Sequence, residues 1–460
     1  MVASTPDPRR LRALIDSLEG GLLERSAAVR LVLLAALAGE HVLLIGPPGT
    51  AKSELARRLH RAFDDARYFE RLLTRFSTPE ELFGPLSLKA LEDDRYERLT
   101  EGYLPTASIA FLDEVFKANS AILNALLTLL NEREFDNGAG RSRTPLISVI
   151  GASNEVPMEE ALMAFYDRFL LRVPVTGVSD AAFEQLLTLD ARAAADAPAV
   201  TREELANWLC ARDSVALPPD VVAHLQALRE HLRGAAISVS DRRWRQLVAL
   251  LSTAACTEGR QQIDAFDLWL VPYAVAAQPS QVAGLQQWFL REVAQAAPQQ
   301  APWLERAVQA FEKQLDIETR AEAEEGDGTA GKLALARSIG GAQDEAMTRM
   351  VTATLEAHLR RRYCTLHVAA RVAQVDEVLA DVQAHCAALG QQLQALCRKL
   401  HGRVWLPPEL AAAMQTALAQ TLARLDECAR RLAAVRAGFA ALPLDGVQGG
   451  ELPAPIALQA

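Results

Sequence analysis

The fold is decided by the stretch Gly46-Pro47-Pro48-Gly49-Thr50-Ala51-Lys52-Ser53. It follows the short apolar run His41–Ile45 and precedes a helical pattern that extends to Phe63. A glycine-rich turn between a buried strand and a helix is where a phosphate-binding loop forms, because backbone N–H groups and the positive helix end surround an anion. The stretch therefore predicts that Lys52 reaches the β- and γ-phosphates of a nucleotide and that the Ser53 hydroxyl ligates Mg²⁺.

One position of this loop departs from the usual pattern. Ala51 stands where phosphate loops usually carry a second glycine. Alanine keeps the backbone N–H but adds a methyl group, so the loop keeps its shape if φ at Ala51 stays negative.

A second apolar run, Ile109–Leu112, ends in two adjacent carboxylates, Asp113 and Glu114. In phosphoryl transfer such a pair would hold the hydrated Mg²⁺ through Asp113 and polarise the attacking water through Glu114 as a general base. Two acids after a strand also occur at an ordinary helix N-terminus. The presence of the phosphate loop favours the catalytic interpretation.

Asn154 follows a further apolar run, Leu146–Ile150. Its side-chain amide would orient the lytic water between Glu114 and the γ-phosphate, or it would cap a helix that begins before Met158. The residue alone does not separate these two roles.

Short apolar runs alternate with helical patterns as far as Val178, which predicts an α/β domain with a parallel sheet covered on both faces. Two more of these runs are Tyr68–Leu73 and Phe169–Val173. A helix is expected from Asp16 to Ala38. The Asn-Gly pair within Glu134–Gly138 predicts either a projecting hairpin or a plain surface turn.

After Val178 the strand signals stop and helical patterns rich in alanine and leucine take over. We predict an α/β nucleotide-binding domain over residues 1–178, a helical lid over 179–277, a helical arm over 278–441 and a disordered tail over 442–460. A connecting loop is expected at 193–198, and a flexible acidic break at 322–331.

The arm contains two runs of apolar residues at alternating spacings of three and four, which is the pattern of a heptad seam. The first extends from Val372 to Leu400 and the second from Ala411 to Phe439. Glycine, tryptophan and two prolines between Gly402 and Pro408 predict an antiparallel hairpin about 40 Å long. The hairpin is either an arm that reaches a partner or a compact bundle that completes the fold.

The composition excludes several classes of protein. A chain of 460 residues needs more than one hydrophobic core, and its net charge of -10 argues against a dedicated nucleic-acid binder. The six cysteines form no CxxC pair and lie in apolar helical runs, so we expect buried free thiols and no metal site. No apolar stretch approaches the roughly 20 residues that span a bilayer, and we expect a soluble cytoplasmic protein.

Taken together, these motifs resemble the AAA+ superfamily and within it the MoxR family, in particular its RavA-like subgroup. The resemblance is carried by the phosphate loop with its alanine and by the following segments: Gly21–Arg25, Thr74–Glu81, Phe83–Leu86, Arg95–Leu99, Gly102–Pro105, Tyr166–Phe169 and Val239–Trp244. It implies that the chain hydrolyses ATP with Mg²⁺. It also implies that Phe83–Leu104 is the helix-2 insert of this clade and that Glu134–Arg143 is its pre-sensor hairpin.

The same resemblance implies roles for three further residues. Asn154 matches sensor 1, Arg168 the arginine finger and Arg242 the sensor 2 arginine. An arginine that follows the nucleotide sheet would complete a neighbour's site, which requires a ring. Arg168 would otherwise form a surface ion pair with Asp167 or with Glu160, and the choice between Arg242 and Arg243, like the choice between action within a subunit and across an interface, stays open.

The resemblance further implies a hexamer that remodels a protein partner as a chaperone, together with a protein that carries a von Willebrand factor A domain (vWA). RavA proteins also dock a lysine decarboxylase through a β-rich insert, but the region near Glu325 shows no β pattern, which makes that partner doubtful. Two alternatives remain: a nucleotide-switched assembly scaffold and, less favoured, a nucleic-acid translocase.

Overall fold

The computed structural model of the chain describes residues 7–138, 140–189, 199–294, 302–321, 362–445 and 452–456. The chain divides into two compact units, the first formed by 1–296 with 399–414 and the second by 297–398 with 415–460. The loop predicted at 193–198, the acidic break at 322–331 and most of the tail beyond 445 lie outside the described residues. The four-part division made from sequence stays a prediction.

The described helices of the first unit begin close to the N-terminus and continue to the end of the lid pattern. They are α1 (Pro8–Glu19), α2 (Ser26–Ala38), α3 (Lys52–Arg61), α4 (Pro79–Phe83), α5 (Leu88–Glu92), α6 (Ser120–Glu132), α7 (Glu160–Tyr166), α8 (Phe183–Leu187), α9 (Arg202–Ala211), α10 (Pro219–Gly234), α11 (Asp241–Thr257), α12 (Val271–Val275) and α13 (Pro279–Trp288). Those of the second unit are α14 (Pro302–Arg320), α15 (Thr365–Leu400) and α16 (Pro408–Ala440), of which α15 and α16 extend from the second unit into residues 399–414 of the first.

A five-stranded parallel sheet forms the centre of the first unit. Its strands are β1 (Val42–Ile45), β2 (Tyr68–Leu72), β3 (Ile109–Asp113), β6 (Ser148–Ser153) and β7 (Leu171–Pro174), in the order β2-β3-β6-β1-β7. Every residue of β1 and β6 is buried, because helices cover both faces of a parallel sheet. The predicted α/β fold, with a helical segment and a long helical hairpin behind it, is confirmed.

The first helix predicted from sequence is wrong in one respect. The pattern from Asp16 to Ala38 is divided between α1 and α2, because the chain turns at Gly20–Arg25. Gly21 has φ 75° and Glu24 has φ 55°, which are left-handed values that end a helix.

The Asn-Gly pair lies in a β-hairpin. Of the two structures predicted from the sequence, a projecting hairpin and a plain surface turn, the hairpin is the one that forms. Strands β4 (Glu134–Asn137) and β5 (Gly140–Arg143) pair antiparallel. The Asn137 side chain accepts from the Arg98 backbone N–H at 2.7 Å and donates to the Arg98 carbonyl at 3.1 Å. The hairpin and the segment that contains Arg98 therefore hold each other in place.

Three helices, α14, α15 and α16, pack together in the second unit. Glu312 pairs with Arg431, Glu318 with Arg371, and Asp376 near the start of α15 with Arg436 near the end of α16. The last pair requires α15 and α16 to be antiparallel, as predicted. With 36 and 33 residues at about 1.5 Å each, the two helices are about 50 Å long, so the predicted 40 Å is too short.

The structure bears on the predicted burial of the cysteines and on the predicted absence of a membrane-spanning segment. Cys256 and Cys428 are buried as expected, but Cys364 and Cys386 are only partly buried and Cys210 and Cys397 are exposed, so the expectation of six buried thiols is wrong for these four. Among the residues that the structure describes, no helix combines the length and the hydropathy that crossing a bilayer requires.

Candidate nucleotide-binding site

The carboxyl ends of three neighbouring strands bring the predicted site residues together. In the register of the sheet, Ile45 of β1 pairs with Ser153 of β6, and β6 pairs with β3, which ends at Asp113. Because the strands are parallel, the phosphate loop, the acids that follow β3 and Asn154 all start from one edge of the sheet. We call it the carboxyl edge.

Backbone contacts hold the phosphate loop against this edge. The Gly46 N–H donates to the Ser153 carbonyl at 3.0 Å, and the Thr50 hydroxyl donates to the Pro47 carbonyl at 3.0 Å. A Cβ atom on Gly46 would lie 1.9 Å from the Val175 carbonyl oxygen, so only glycine fits there. Helix α3 begins at Lys52, which directs its N-terminus towards the loop.

The condition of a negative φ at Ala51 is not met, yet the loop forms. Ala51 has φ 66° and ψ 23°, the left-handed conformation in which glycine is free of strain. The loop keeps its form because the residue before α3 must turn the chain into the helix, and the methyl group is accommodated at an exposed position. Glu114 is left-handed as well, with φ 50° and ψ 44°.

Replacing Ala51 with glycine should therefore stabilise the first unit by about 1 kcal/mol, because glycine relieves the left-handed strain. Thermal unfolding followed by circular dichroism should show the transition of this unit rise by about 1–2 °C. Ala125→Gly, the same change inside α6, should have the opposite effect, since glycine weakens a right-handed helix. A lower unfolding temperature for Ala51→Gly than for the unmodified chain would contradict the presence of strain at Ala51.

Lys52 points into the middle of the loop. Its Nζ donates to the carbonyl oxygens of Gly46 at 2.7 Å and Pro47 at 2.9 Å, and to Asn154 Oδ1 at 3.3 Å. Burial lowers the pKa of Lys52, and the charges of Asp113 and Glu114 oppose that shift. The ammonium group thus lies among oxygen acceptors, where phosphate oxygens would bind.

Asn154 links Lys52 to the predicted general base. Its Nδ2 donates to Glu114 Oε1 at 2.5 Å, while its Oδ1 accepts from Lys52. The alternative role as a helix cap does not apply, because α7 begins after Glu159, not after Asn154. Lys52, Asn154 and Glu114 form one hydrogen-bonded chain, which is the geometry expected of a group that orients water.

Lys117 is a site residue that the reasoning from sequence missed. Its Nζ lies 3.2 Å from Glu114 Oε2, so both oxygens of this carboxylate have partners. A short helical turn at Val115–Lys117 brings it back to the acid. The signal in the sequence was a basic residue three positions after Glu114, a spacing that returns a side chain to the same face of a turn.

Two residues of the site have the chemistry of Mg²⁺ ligands. Ser53 lies in the first turn of α3, and Asp113 ends β3 with Oδ1 accepting from the Glu114 N–H at 3.0 Å. Hydroxyl and carboxylate oxygens are hard ligands, which Mg²⁺ prefers. The donor set therefore fits the ion.

Arg168 and Arg242 do not join this group. The Leu170 N–H, two residues after Arg168, donates to the carbonyl of His41, which precedes β1. Arg168 thus lies at the opposite, amino edge of the sheet, about 13 Å of strand away from the phosphate loop. Arg242 donates to Asn131 at the end of α6, at the same edge.

The two arginines lie close enough for their charges to interact, with the carboxylates of Asp167 and Glu40 nearby. Burial lowers the pKa of Arg168 and the charge of Arg242 lowers it further, while the charge of Asp167 opposes the shift. Arg168 Nε is buried without a hydrogen-bond partner among the described residues. The predicted ion pair with Asp167 is not formed, because that carboxylate pairs with Arg172 at 3.3 Å and Arg243 at 2.8 Å. The side chain of Glu160, the other predicted partner, lies outside the described ones.

Arg243 differs from its exposed neighbour Arg242. It is 3% exposed and donates to the carbonyl oxygens of Asp167, Phe169, Leu170 and Ala274 as well as to the Asp167 carboxylate. Its guanidinium N–H groups thus join α11 to the segment that precedes β7 and to α12. Of the two candidates left open by the sequence, only Arg242 has a side chain available for a ligand.

Comparison with known proteins identifies the family of this chain. Residues 9–209 match the family described as "MoxR domain in the MoxR-vWA-beta-propeller ternary systems", and residues 220–289 match the AAA lid domain. An uncharacterized protein of Methanocaldococcus jannaschii is 42% identical over 261 residues, which are 56% of this chain and 68% of that protein. The chain belongs to the MoxR family of AAA+ ATPases.

One further relative and one solved structure are similar to this chain. Protein MoxR of Paracoccus denitrificans is 30% identical over 173 residues, 36% of this chain and 50% of that protein. A crystal structure of a protein from Cytophaga hutchinsonii, named "putative ATPase", aligns with a TM-score of 0.50 at 17% identity and covers 62% of this chain and 94% of that one. At that identity the likeness shows the AAA+ fold alone.

Proposed function

We propose that this MoxR-family protein hydrolyses ATP at the carboxyl edge of its sheet. The observation that carries the proposal is the chain of contacts from Lys52 through Asn154 to Glu114. Phosphoryl transfer needs a cation that binds the phosphates. It also needs groups that orient and deprotonate the attacking water, here an amide and a carboxylate. A site used only for binding has no physical need of a base aligned with an amide.

In this proposal Ser53 and Asp113 hold Mg²⁺, and the bound ion supplies electrostatic stabilisation of the phosphate charge. Lys52 exchanges its contacts with the loop carbonyls for phosphate oxygens, which releases Asn154 Oδ1. Glu114 takes the proton of the attacking water once one of its oxygens is free. Lys117 pairs with the other oxygen and so keeps the carboxylate in place.

Arg168 and Arg242 would act on the nucleotide of a neighbouring subunit. They lie together at the amino edge, away from their own phosphate loop, and Arg168 Nε is buried with no hydrogen-bond partner in the part of the chain that the structure describes. Two neighbouring guanidinium groups, one of them exposed, favour binding of an anion such as a γ-phosphate. We propose that both act in trans.

A head-to-tail contact between the amino edge of one subunit and the carboxyl edge of the next closes into a ring. By family resemblance we propose a cytoplasmic hexamer of the RavA-like subgroup, working as a chaperone-like remodeller. The name of the matching family supports a vWA protein as partner and adds a β-propeller protein to the candidates. We do not propose a lysine decarboxylase as partner.

The predicted helix-2 insert, Phe83–Leu104, is the best candidate for the surface that contacts a remodelled protein. Leu88, Leu91, Tyr96 and Leu99 are all at least half exposed, and the β4–β5 hairpin braces the insert through Asn137. Exposed apolar side chains on a braced support are typical of a protein-binding surface.

Dependence of turnover on protein concentration tests this proposal. If the site is shared between subunits, the ATPase rate per subunit should rise with concentration and level off where the ring is complete, which light scattering measures in the same samples. A rate that stays constant while the protein goes from monomer to ring would contradict the shared site. Nucleotide-dependent assembly without measurable turnover would instead support the scaffold alternative, and salt-sensitive stimulation by DNA the translocase.

A further inference from the structure

The turn between α15 and α16 belongs to the first unit, with the nucleotide site. Its residues Val404, Trp405 and Leu406 are buried, and Trp405 is only 1% exposed. A tryptophan in a tight turn between two long helices would be exposed if the turn were free. The turn must therefore pack against other parts of the first unit.

On one side the turn contacts the end of the lid helix α11. Glu258 Oε1 accepts from the backbone N–H groups of Val404 at 2.6 Å and Trp405 at 3.1 Å. The indole Nε1 of Trp405 donates to Thr257 Oγ1 at 2.8 Å. The lid thus recognises both the backbone of the turn and its largest side chain.

Arg403 adds an ion-pair cluster to this contact. Its guanidinium group lies 3.5 Å from Glu258, 3.0 Å from Asp264 and 3.2 Å from Asp267. Arg260 shares Asp267 and Glu258 with it. The Arg403 side chain is 10% exposed, so loss of this cation would leave shielded carboxylates with one counter-charge fewer, which is destabilising.

On the other side the turn contacts the helices that precede the phosphate loop. Arg30 of α2, itself buried, donates from Nε to the Val404 carbonyl at 3.1 Å. Arg12 of α1 donates to the Arg403 carbonyl at 3.1 Å. Three residues of the turn therefore bind α1, α2 and the lid at once.

Hydrogen bonds and chain neighbours connect Arg30 with the phosphate loop. Arg30 also donates to the Ser26 hydroxyl in the first turn of α2. The preceding residue, Arg25, is buried and donates to the carbonyl of Thr50 in the loop at 3.4 Å and to that of Thr176 at 2.5 Å. Four residues, Val404, Arg30, Ser26 and Arg25, thus connect the hairpin turn with the phosphate loop.

We propose that residues 403–405 form a clasp that couples the helical hairpin to nucleotide binding. The docked clasp holds α2 and the lid in the arrangement that presents the phosphate loop to nucleotide. Helices α15 and α16 continue from the clasp into the second unit. The inference rests on the proposed nucleotide site, but it concerns affinity rather than hydrolysis.

Arg403→Met in the full chain tests the clasp, because methionine keeps much of the side-chain volume and removes the charge. Arg398→Met, an exposed arginine one turn earlier in α15, is the matched control. Hydrogen exchange of the peptide that covers 399–414 reports docking, and calorimetry reports the Kd for ADP. We expect about 10-fold faster exchange and about 5-fold weaker ADP binding for Arg403→Met, and no change for the control.

Coupling must be reciprocal, so ADP should slow exchange of the Val404 and Trp405 amides in the unmodified protein by a similar factor. Faster exchange with unchanged ADP affinity, or unchanged exchange in Arg403→Met, would overturn the clasp. If Arg403→Met does not fold, Trp405→Phe, which removes only the bond to Thr257 and part of the ring, gives the same readouts. Failure of the unmodified protein to bind ADP at all would refute the nucleotide site as well, whereas normal binding with no effect of either variant would refute the clasp alone.

Discussion

Replacing Glu114 with glutamine should lower kcat for ATP hydrolysis by about 10²–10³-fold, because an amide cannot take the proton of the attacking water. Glutamine keeps the size of the side chain, and its oxygen can still accept from Asn154 Nδ2. We therefore expect nucleotide affinity to change by less than about 3-fold. Steady-state phosphate release and calorimetric titration with ATP measure the two effects separately.

A suitable control is Glu101→Gln, which changes an exposed glutamate paired with Arg67 far from the loop. It should leave kcat and affinity unaltered, since an exposed pair contributes little. Turnover of Glu114→Gln close to that of the unmodified chain would show that the base is another residue. Loss of ATP binding would show that Glu114 supports the pocket instead of the reaction.

Replacing Arg168 with alanine should lower kcat by about 10³-fold. A guanidinium group that contacts the transferring phosphate stabilises the charge of the transition state and accelerates the reaction by a factor of this order. Arg168 lies at the amino edge, so ATP binding in its own subunit should persist. Phosphate release measured above the concentration of ring assembly checks the loss. Arg229→Ala, an exposed arginine of α10, is the control and should keep full turnover.

Mixing two inactive variants decides whether Arg168 acts in trans. In a ring that combines Arg168→Ala with Glu114→Gln subunits, the pocket of the first meets the intact arginine of the second. Random assembly of equal amounts should therefore restore about a quarter of the normal turnover per subunit. Failure to recover any activity in mixed rings of confirmed composition would mean that the arginine acts within its own subunit.

Several parts of the site could be read from the sequence because they depend on local order alone. The loop that ends at Ser53, the acids at 113 and 114 and Asn154 each follow an apolar strand directly. Parallel strands bring their carboxyl ends to one edge, so these residues had to meet once the sheet formed. The observed order of the strands and the contacts of Asn154 with Lys52 and Glu114 agree with that reasoning.

Other features were missed because they depend on backbone detail or on contacts between distant segments. The positive φ of Ala51 was not predicted, since alanine alone favours a negative value. The break between α1 and α2 was missed because the apolar pattern continues through Gly20. Lys117 was visible only as a basic residue three positions after an acid.

The sequence by itself determined the α/β fold, the phosphate loop and the antiparallel helical hairpin, because strand runs, loop motifs and heptads act over a few residues to a few turns. Only the tertiary structure decided that Arg243 is committed to joining α11 to the sheet, that Arg168 and Arg242 converge at the amino edge, and that Trp405 is buried beside Thr257. These contacts join segments that are from about 70 to about 150 residues apart, and their formation depends on how packed helices approach one another, which no local pattern encodes.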